Sequence, residues 1–204
     1  YLDPDIITFQ EIPLTNAGWT HMPEFVTAFR PGYHLATNSG SDGFIRSVIL
    51  SRHPITRSTS WLDAASLTNY GYDGKFTRDL FEAQIAVPGF PQPLHVFTVH
   101  LKSGQGTDDS NRRTAEAGAI SNYFVTGFLT TNSLHTYLLT GDIGTLDRTE
   151  IATVTNITDG GGIWEGCINS VAFLDNFVMR QAIFDSANRL LLAGVTTVFG
   201  TETT

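Results

Sequence analysis

Four segments of this chain share one design, an apolar strand-like run that ends on or encloses a polar, chemistry-bearing residue. Ile6-Ile7-Thr8-Phe9 leads into Gln10-Glu11, and Phe97-Thr98-Val99 leads into His100. Tyr137-Leu138-Leu139-Thr140-Gly141 leads into Asp142, and Asp175 lies within Phe173-Leu174-Asp175-Asn176-Phe177-Val178. Strands that are apolar along their length must bury a face against another layer. Stacking two such sheets gathers the strand ends at one cleft, so residues distant in sequence converge there. That constraint points to a two-layer sheet architecture with a polar site at one end.

The remaining pattern fits the same plan. Residues 33–36 and 44–50 read as paired strands across the turn-rich Asn38-Ser39-Gly40-Ser41-Asp42-Gly43 connection. Residues 80–87, 94–101, 171–178 and 190–199 read as further strands. A short helix is expected over 23–29, with Pro23 at its first position. A longer one follows Asp109 or Ser110, where Ala117, Ile120, Phe124 and Phe128 recur at helical spacing. The expectation is a two-sheet α/β sandwich with helices on its outer faces.

With 204 residues, no internal repeat and no low-complexity tract, the chain reads as a single domain over 1–204. No apolar stretch reaches the roughly 18–20 residues of a membrane-spanning helix. Twelve basic residues against 20 acidic ones give a net charge of −8, with Lys75 and Lys102 the sole lysines. Such a balance argues against an extensive nucleic-acid interface, which needs a broad basic face. An acidic, lysine-poor surface also suits an extracellular or secreted protein. Cys167 stands alone, which excludes an intrachain disulfide and a cysteine-built zinc site.

Glu11, His100 and Asp142 are the residue types that phosphoester chemistry requires. A carboxylate can hold a hard divalent cation against phosphate. A histidine can donate to a phosphate oxygen or move a proton, and an aspartate can orient the attacking water. Each also has an ordinary structural reading. A glutamate after a strand is usually a surface group, a histidine within a strand is usually hydrogen-bonded, and an aspartate after Thr-Gly can cap a turn. His21, His34, His53, His95 and His135 match no ligand spacing and read as structural or exposed. Arg112 and Arg113 read as solvating a helix face.

The motifs taken together are more specific. Asp5-Ile6-Ile7-Thr8-Phe9-Gln10-Glu11-Ile12 resembles the metal-binding Gln-Glu signature of the endonuclease/exonuclease/phosphatase superfamily, whose fold is DNase I-like. Ser51-Arg52-His53-Pro54-Ile55 resembles its Ser-Arg-x-Pro-Ile turn, and Phe76-Thr77-Arg78 the arginine-bearing strand after it. Thr98-Val99-His100-Leu101-Lys102-Ser103-Gly104, followed by Asn111-Arg112-Arg113, is similar to the histidine motif and trailing helix of bacterial members. Thr140-Gly141-Asp142 matches half of the Gly-Asp-Phe-Asn motif, and Leu174-Asp175-Asn176-Phe177-Val178 is similar to the Ile-Asp-Tyr-Ile strand. All stand in family order.

The resemblance implies a Mg²⁺-dependent phosphodiesterase ancestry. It assigns Glu11 as metal ligand, His100 and Arg78 as phosphate contacts, Asp142 as the water-positioning group and Asp175 as support from a neighbouring strand. Arg78 and Asp175 read equally well as structural ion-pair residues. The family pattern is broken at functional positions, however. Gly144 stands where the motif has its asparagine, and Ala187-Asn188 stand where it has Asp-His. No histidine follows His135. The family's first, asparagine-bearing strand would precede Tyr1, so the chain reads as truncated at its beginning. The expectation is therefore a catalytically impaired or non-catalytic relative with a binding, scaffold or self-assembly role. The alternative is an active Mg²⁺-dependent phosphodiesterase with a phosphoester substrate.

Overall fold

The computed structural model describes residues 4–14, 21–104, 106–132 and 135–142, together with the backbone of 178–184 and 190–197. Strand β1 (Ile6–Pro13), helix α1 (Met22–Phe29) and strands β2 (His34–Thr37) and β3 (Ile45–Ser51) form the first half. Strands β4 (Ile55–Trp61), β5 (Leu80–Ile85) and β6 (Leu94–His100), helix α2 (Thr107–Tyr123) and strand β7 (Tyr137–Asp142) form the second. The first sheet runs β1-β3-β2 and is antiparallel. The second runs β4-β5-β6-β7, antiparallel except for the parallel pair β6–β7. Two parallel neighbours need a crossover, which α2 supplies. Strands β8 (Val178–Phe184) and β9 (Leu190–Thr197) pair antiparallel with each other.

Strand alternation builds the layers. Val48 and Leu50 of β3 pack with Met22 and Val26 of α1. Ile49 points the other way and joins Phe81, Ala83 and Ile85 of β5 and Leu94 and Val96 of β6. This is the seam between the sheets. On the far face of the second sheet, Phe97, Val99 and Leu139 pack with Ala117, Ile120 and Phe124 from α2 and its continuation. The order is thus helix, sheet, sheet, helix, the expected α/β sandwich with helices outside. Every residue of β6 is buried, as a strand covered on both faces must be.

Some elements differ from expectation. Residues 55–61, too polar to stand out as a strand, form β4 at the edge of its sheet. Polar edge strands suit solvent exposure and discourage pairing with other chains. Helix α2 begins at Thr107, with Gly106 as its N-cap, rather than after Asp109 or Ser110. Asp109 lies within the first turn and accepts the Gly106 backbone N–H at 3.2 Å. The helix continues through a π turn, Phe124–Phe128, to Leu129–Thr131. Arg113 does not solvate a helix face. It is buried and donates to the carbonyls of Lys102 and Gly104 at 2.9 and 2.7 Å. The strand expected over 171–178 is described only from Val178 onward.

Candidate metal and phosphate site

At one end of the seam the inward-facing residues change from apolar to polar. Thr8 and Gln10 of β1 meet Thr98 of β6 and Thr140 of β7. Gln10 Nε2 donates to Thr98 Oγ1 at 2.7 Å. Thr140 Oγ1 lies 3.2 Å from Thr8 Oγ1 and donates to the Phe97 carbonyl at 3.0 Å. These bonds tie the two sheets together where hydrophobic packing stops. The strand alternation that buries Leu94 and Val96 also carries Thr98 and His100 to the same side of β6.

Glu11, His100 and Asp142 converge just beyond this polar layer. One ligand atom from each lies within 4.8 Å of the other two. His100 Nε2 is 3.9 Å from Glu11 Oε1 and 3.7 Å from Asp142 Oδ2. The two carboxylates are largely open to solvent, with side-chain exposures of 69% and 52%, whereas His100 is 3% exposed. A buried imidazole thus forms the floor and two carboxylates the rim.

Local backbone geometry makes this possible. His100 and Asp142 are directly paired in the parallel β6–β7 register, so their side chains share a face. Glu11 reaches the site from the other sheet through a β-bulge between Phe9 and Ile12. Its φ is 61°, a strained value for a residue with a side chain. Bulges of this kind re-aim one side chain out of the strand's alternation.

Burial lowers the His100 pKa, and the nearby Arg78 charge lowers it further, against opposing pulls from Asp142, Glu11 and Asp42. The imidazole is therefore neutral at neutral pH. Its Nδ1 is buried without a hydrogen-bond partner.

Arg78 is committed elsewhere. It is 5% exposed, pairs with Asp42 Oδ2 at 2.6 Å, and donates to the carbonyls of His100 and Leu101 at 2.8 and 2.9 Å. In this geometry it fastens the end of β6 to the β2–β3 hairpin. Asp175, Gly144, Ala187 and Asn188 lie outside the described residues.

Sequence reasoning did not single out a buried polar chain on the opposite face of the second sheet. Glu82, 1% exposed, accepts from Arg57, from Trp61 Nε1 at 2.8 Å and from His95 Nδ1 at 2.5 Å. His95 Nε2 in turn meets His135 Nδ1 at 2.7 Å. His95 and His135 are thus structural, as expected, but as members of one network. The only sequence signal for it was an acid in the middle of an otherwise apolar strand.

The donor set suits a hard divalent cation. Exposed carboxylate oxygens leave room for the several waters that Mg²⁺ retains, and the neutral imidazole beside them is a hydrogen-bonding partner for an anion.

No protein-family model and no curated protein matches the chain. Solved structures do. An endonuclease/exonuclease/phosphatase from Beutenbergia cavernae is 16% identical with a TM-score of 0.55, over 78% of this chain and 45% of that one. A humanized TDP2 of D. rerio is 19% identical with a TM-score of 0.53, over 82% and 64% of the two chains. A beta toxin mutant of Staphylococcus aureus, solved with bound magnesium ions, is 15% identical with a TM-score of 0.53, over 76% and 57%. These likenesses establish the DNase I-like sandwich as the fold of this chain, which spans about half the length of such structures.

Proposed function

We propose that residues 1–204 form one phosphoester-binding domain related to divalent-metal phosphodiesterases, with its cation site retained and its turnover curtailed. The observation that supports the retained half is the convergence of Glu11, His100 and Asp142 within 4.8 Å from three different strands. Solved neighbours of the same fold include an endonuclease/exonuclease/phosphatase and a magnesium-bound toxin.

Glu11 is the proposed ligand of Mg²⁺. A bound divalent cation supplies charge neutralisation at a phosphate oxygen and acidifies coordinated water. The neutral His100 donates from Nε2 to a phosphate oxygen. Asp142 orients the attacking water from the adjacent strand position. Arg78 acts as a positioning residue, holding the backbone of His100.

The sequence supports curtailed turnover. Gly144 has no side-chain amide to steady the developing charge, and Ala187 and Asn188 cannot replace a carboxylate and a titrating imidazole. Loss of one preorganised electrostatic group costs on the order of 10²–10³ in rate. Losses within one site combine non-additively. A binding role for the domain, including contact with a protein partner or self-assembly, is compatible with this site. No extensive nucleic-acid face is proposed, given the net charge of −8. Among the described residues, no helix is long and apolar enough to cross a membrane.

The test is calorimetric titration of Mg²⁺ into the full chain, followed by turnover of bis-p-nitrophenyl phosphate. Binding that disappears in Glu11→Ala, with negligible turnover, supports the reading. Metal-dependent turnover abolished by both Glu11→Ala and His100→Ala would establish the alternative, an active phosphodiesterase. No Mg²⁺ binding would remove both.

A further inference from the structure

The sheets meet at a second polar point, built from residues other than Glu11 and Asp142. Asn38 directly follows β2 and Asp79 directly precedes β5, and both are buried. Asn38 Nδ2 donates to Asp79 Oδ1 at 2.6 Å and to the Gly40 carbonyl at 2.9 Å. The second oxygen of each side chain, Asn38 Oδ1 and Asp79 Oδ2, is buried with no hydrogen-bond partner. Gly40 closes over the carboxyl: a Cβ there would lie 2.5 Å from Asp79 Cβ and 2.9 Å from Oδ2.

Two docked groups, each with a buried acceptor lacking a donor, have one economical resolution, a proton shared between them. We propose that in mildly acidic solution Asp79 is a neutral carboxylic acid in the folded protein, its Oδ2 hydroxyl donating to Asn38 Oδ1. Acid and amide then form a reciprocal pair that latches the β2–β3 hairpin onto β5.

The surroundings are consistent with this. Burial is the largest influence on the carboxyl and pushes it up to about 6, with Asp63 adding to the rise. Ser60 of β4, Asn38 and the Gly40 amide favour the ionised form but do not outweigh burial. Arg46 of β3 donates to the Asn38 backbone carbonyl at 3.3 Å. Neighbouring Arg78 directs its guanidinium to Asp42 and to the end of β6.

Asn38–Asp79 and Asp42–Arg78 are thus two of the polar points that fasten the hairpin. Above about pH 6 the first loses its proton and two acceptors oppose each other. The hairpin then keeps the Asp42–Arg78 pair, the Ser39 N–H bond to Ser60 Oγ, and the packing of Ala36 and Ile49 against the second sheet. Any bearing of this on the site rests on the function proposed above. The acid–amide pair itself does not.

The sign follows from linkage. A folded-state value above the ordinary 3.8 gives stability that is complete below about 3.8 and lost as pH rises through about 6. The direct test is a ¹³C carboxyl NMR titration of Asp79 in the full chain. A midpoint near 6 is expected, and a midpoint at or below about 4 would overturn the proposal. The second is urea unfolding of the wild type and Asp79→Asn from about pH 4 to about pH 7. Asparagine supplies an N–H donor at every pH. The wild-type folding equilibrium should therefore fall on the order of 100-fold relative to the variant over this range. A wild-type-to-variant ratio independent of pH would overturn the latch. If Asp79→Asn does not fold, the carboxyl titration decides alone. Neither measurement involves metal or substrate, so each is independent of the proposed activity.

Discussion

His100 and Asp142 face each other because they are register partners across the parallel β6–β7 pair, with Nε2 and Oδ2 3.7 Å apart. Gly141, one residue earlier, permits this pairing. Its φ is 129°, and a Cβ there would lie 2.0 Å from the Val99 carbonyl oxygen. Gly141→Ala must force the strands apart or distort them. The expected cost is about 2–4 kcal/mol, read by urea unfolding, together with loss of Mg²⁺ binding in calorimetry. Near-wild-type stability would show that the strand end adapts.

Glu11 presents the opposite case, a residue whose backbone conformation opposes its own stability. Its φ of 61° suits glycine. Glu11→Gly should therefore raise stability by roughly 0.5–1 kcal/mol while abolishing Mg²⁺ binding. Glu11→Ala removes the same carboxylate but keeps the strained backbone, so it should lose binding without that gain. Equal unfolding midpoints for the two variants would mean that the bulge stores no strain.

Much of this was legible in the sequence, and the limits have physical causes. β6 could be read as a strand because it alternates as a half-buried strand would, although both of its faces are buried, and the same alternation places His100 in the seam. The site trio was visible as residue types at strand ends, but not the bulge that delivers Glu11, because nothing in Gln10-Glu11-Ile12 encodes a positive φ. β4 was missed because edge strands can be polar. Arg113 was misread because charge suggests solvent, whereas a guanidinium can replace the missing donors of a turn, here at the carbonyls of Lys102 and Gly104.

The Glu82 network makes a prediction about acid. Burial alone would raise the Glu82 pKa, but bonds from His95 and Trp61 and the charges of His95 and Arg57 outweigh it, so the net shift is downward. A lowered folded-state value contributes stability that is present above the ordinary 4.5 and lost as pH falls through the folded value. Glu82→Gln leaves Arg57 and His95 without their shared anion. It should cost on the order of 3–5 kcal/mol at neutral pH and should flatten the acid limb of the stability profile. A profile unchanged below about pH 4.5 would assign that limb to other carboxylates.

Arg78 separates a positioning role from a substrate-binding one. Its guanidinium makes three bonds in different directions, to Asp42 and to the carbonyls of His100 and Leu101. A lysine ammonium is a point donor that lacks the planar fork. Arg78→Lys should release the Asp42 hairpin or the end of β6, at a cost of about 1.5–3 kcal/mol for the charged hydrogen bonds lost. It should also weaken Mg²⁺ binding through displacement of His100 and Asp142, even with no phosphoester present. A variant with wild-type stability and Mg²⁺ affinity, but weaker binding of a non-hydrolysable phosphoester, would instead place the guanidinium on the phosphate. The Arg78-to-carbonyl bonds would then have to open when substrate binds.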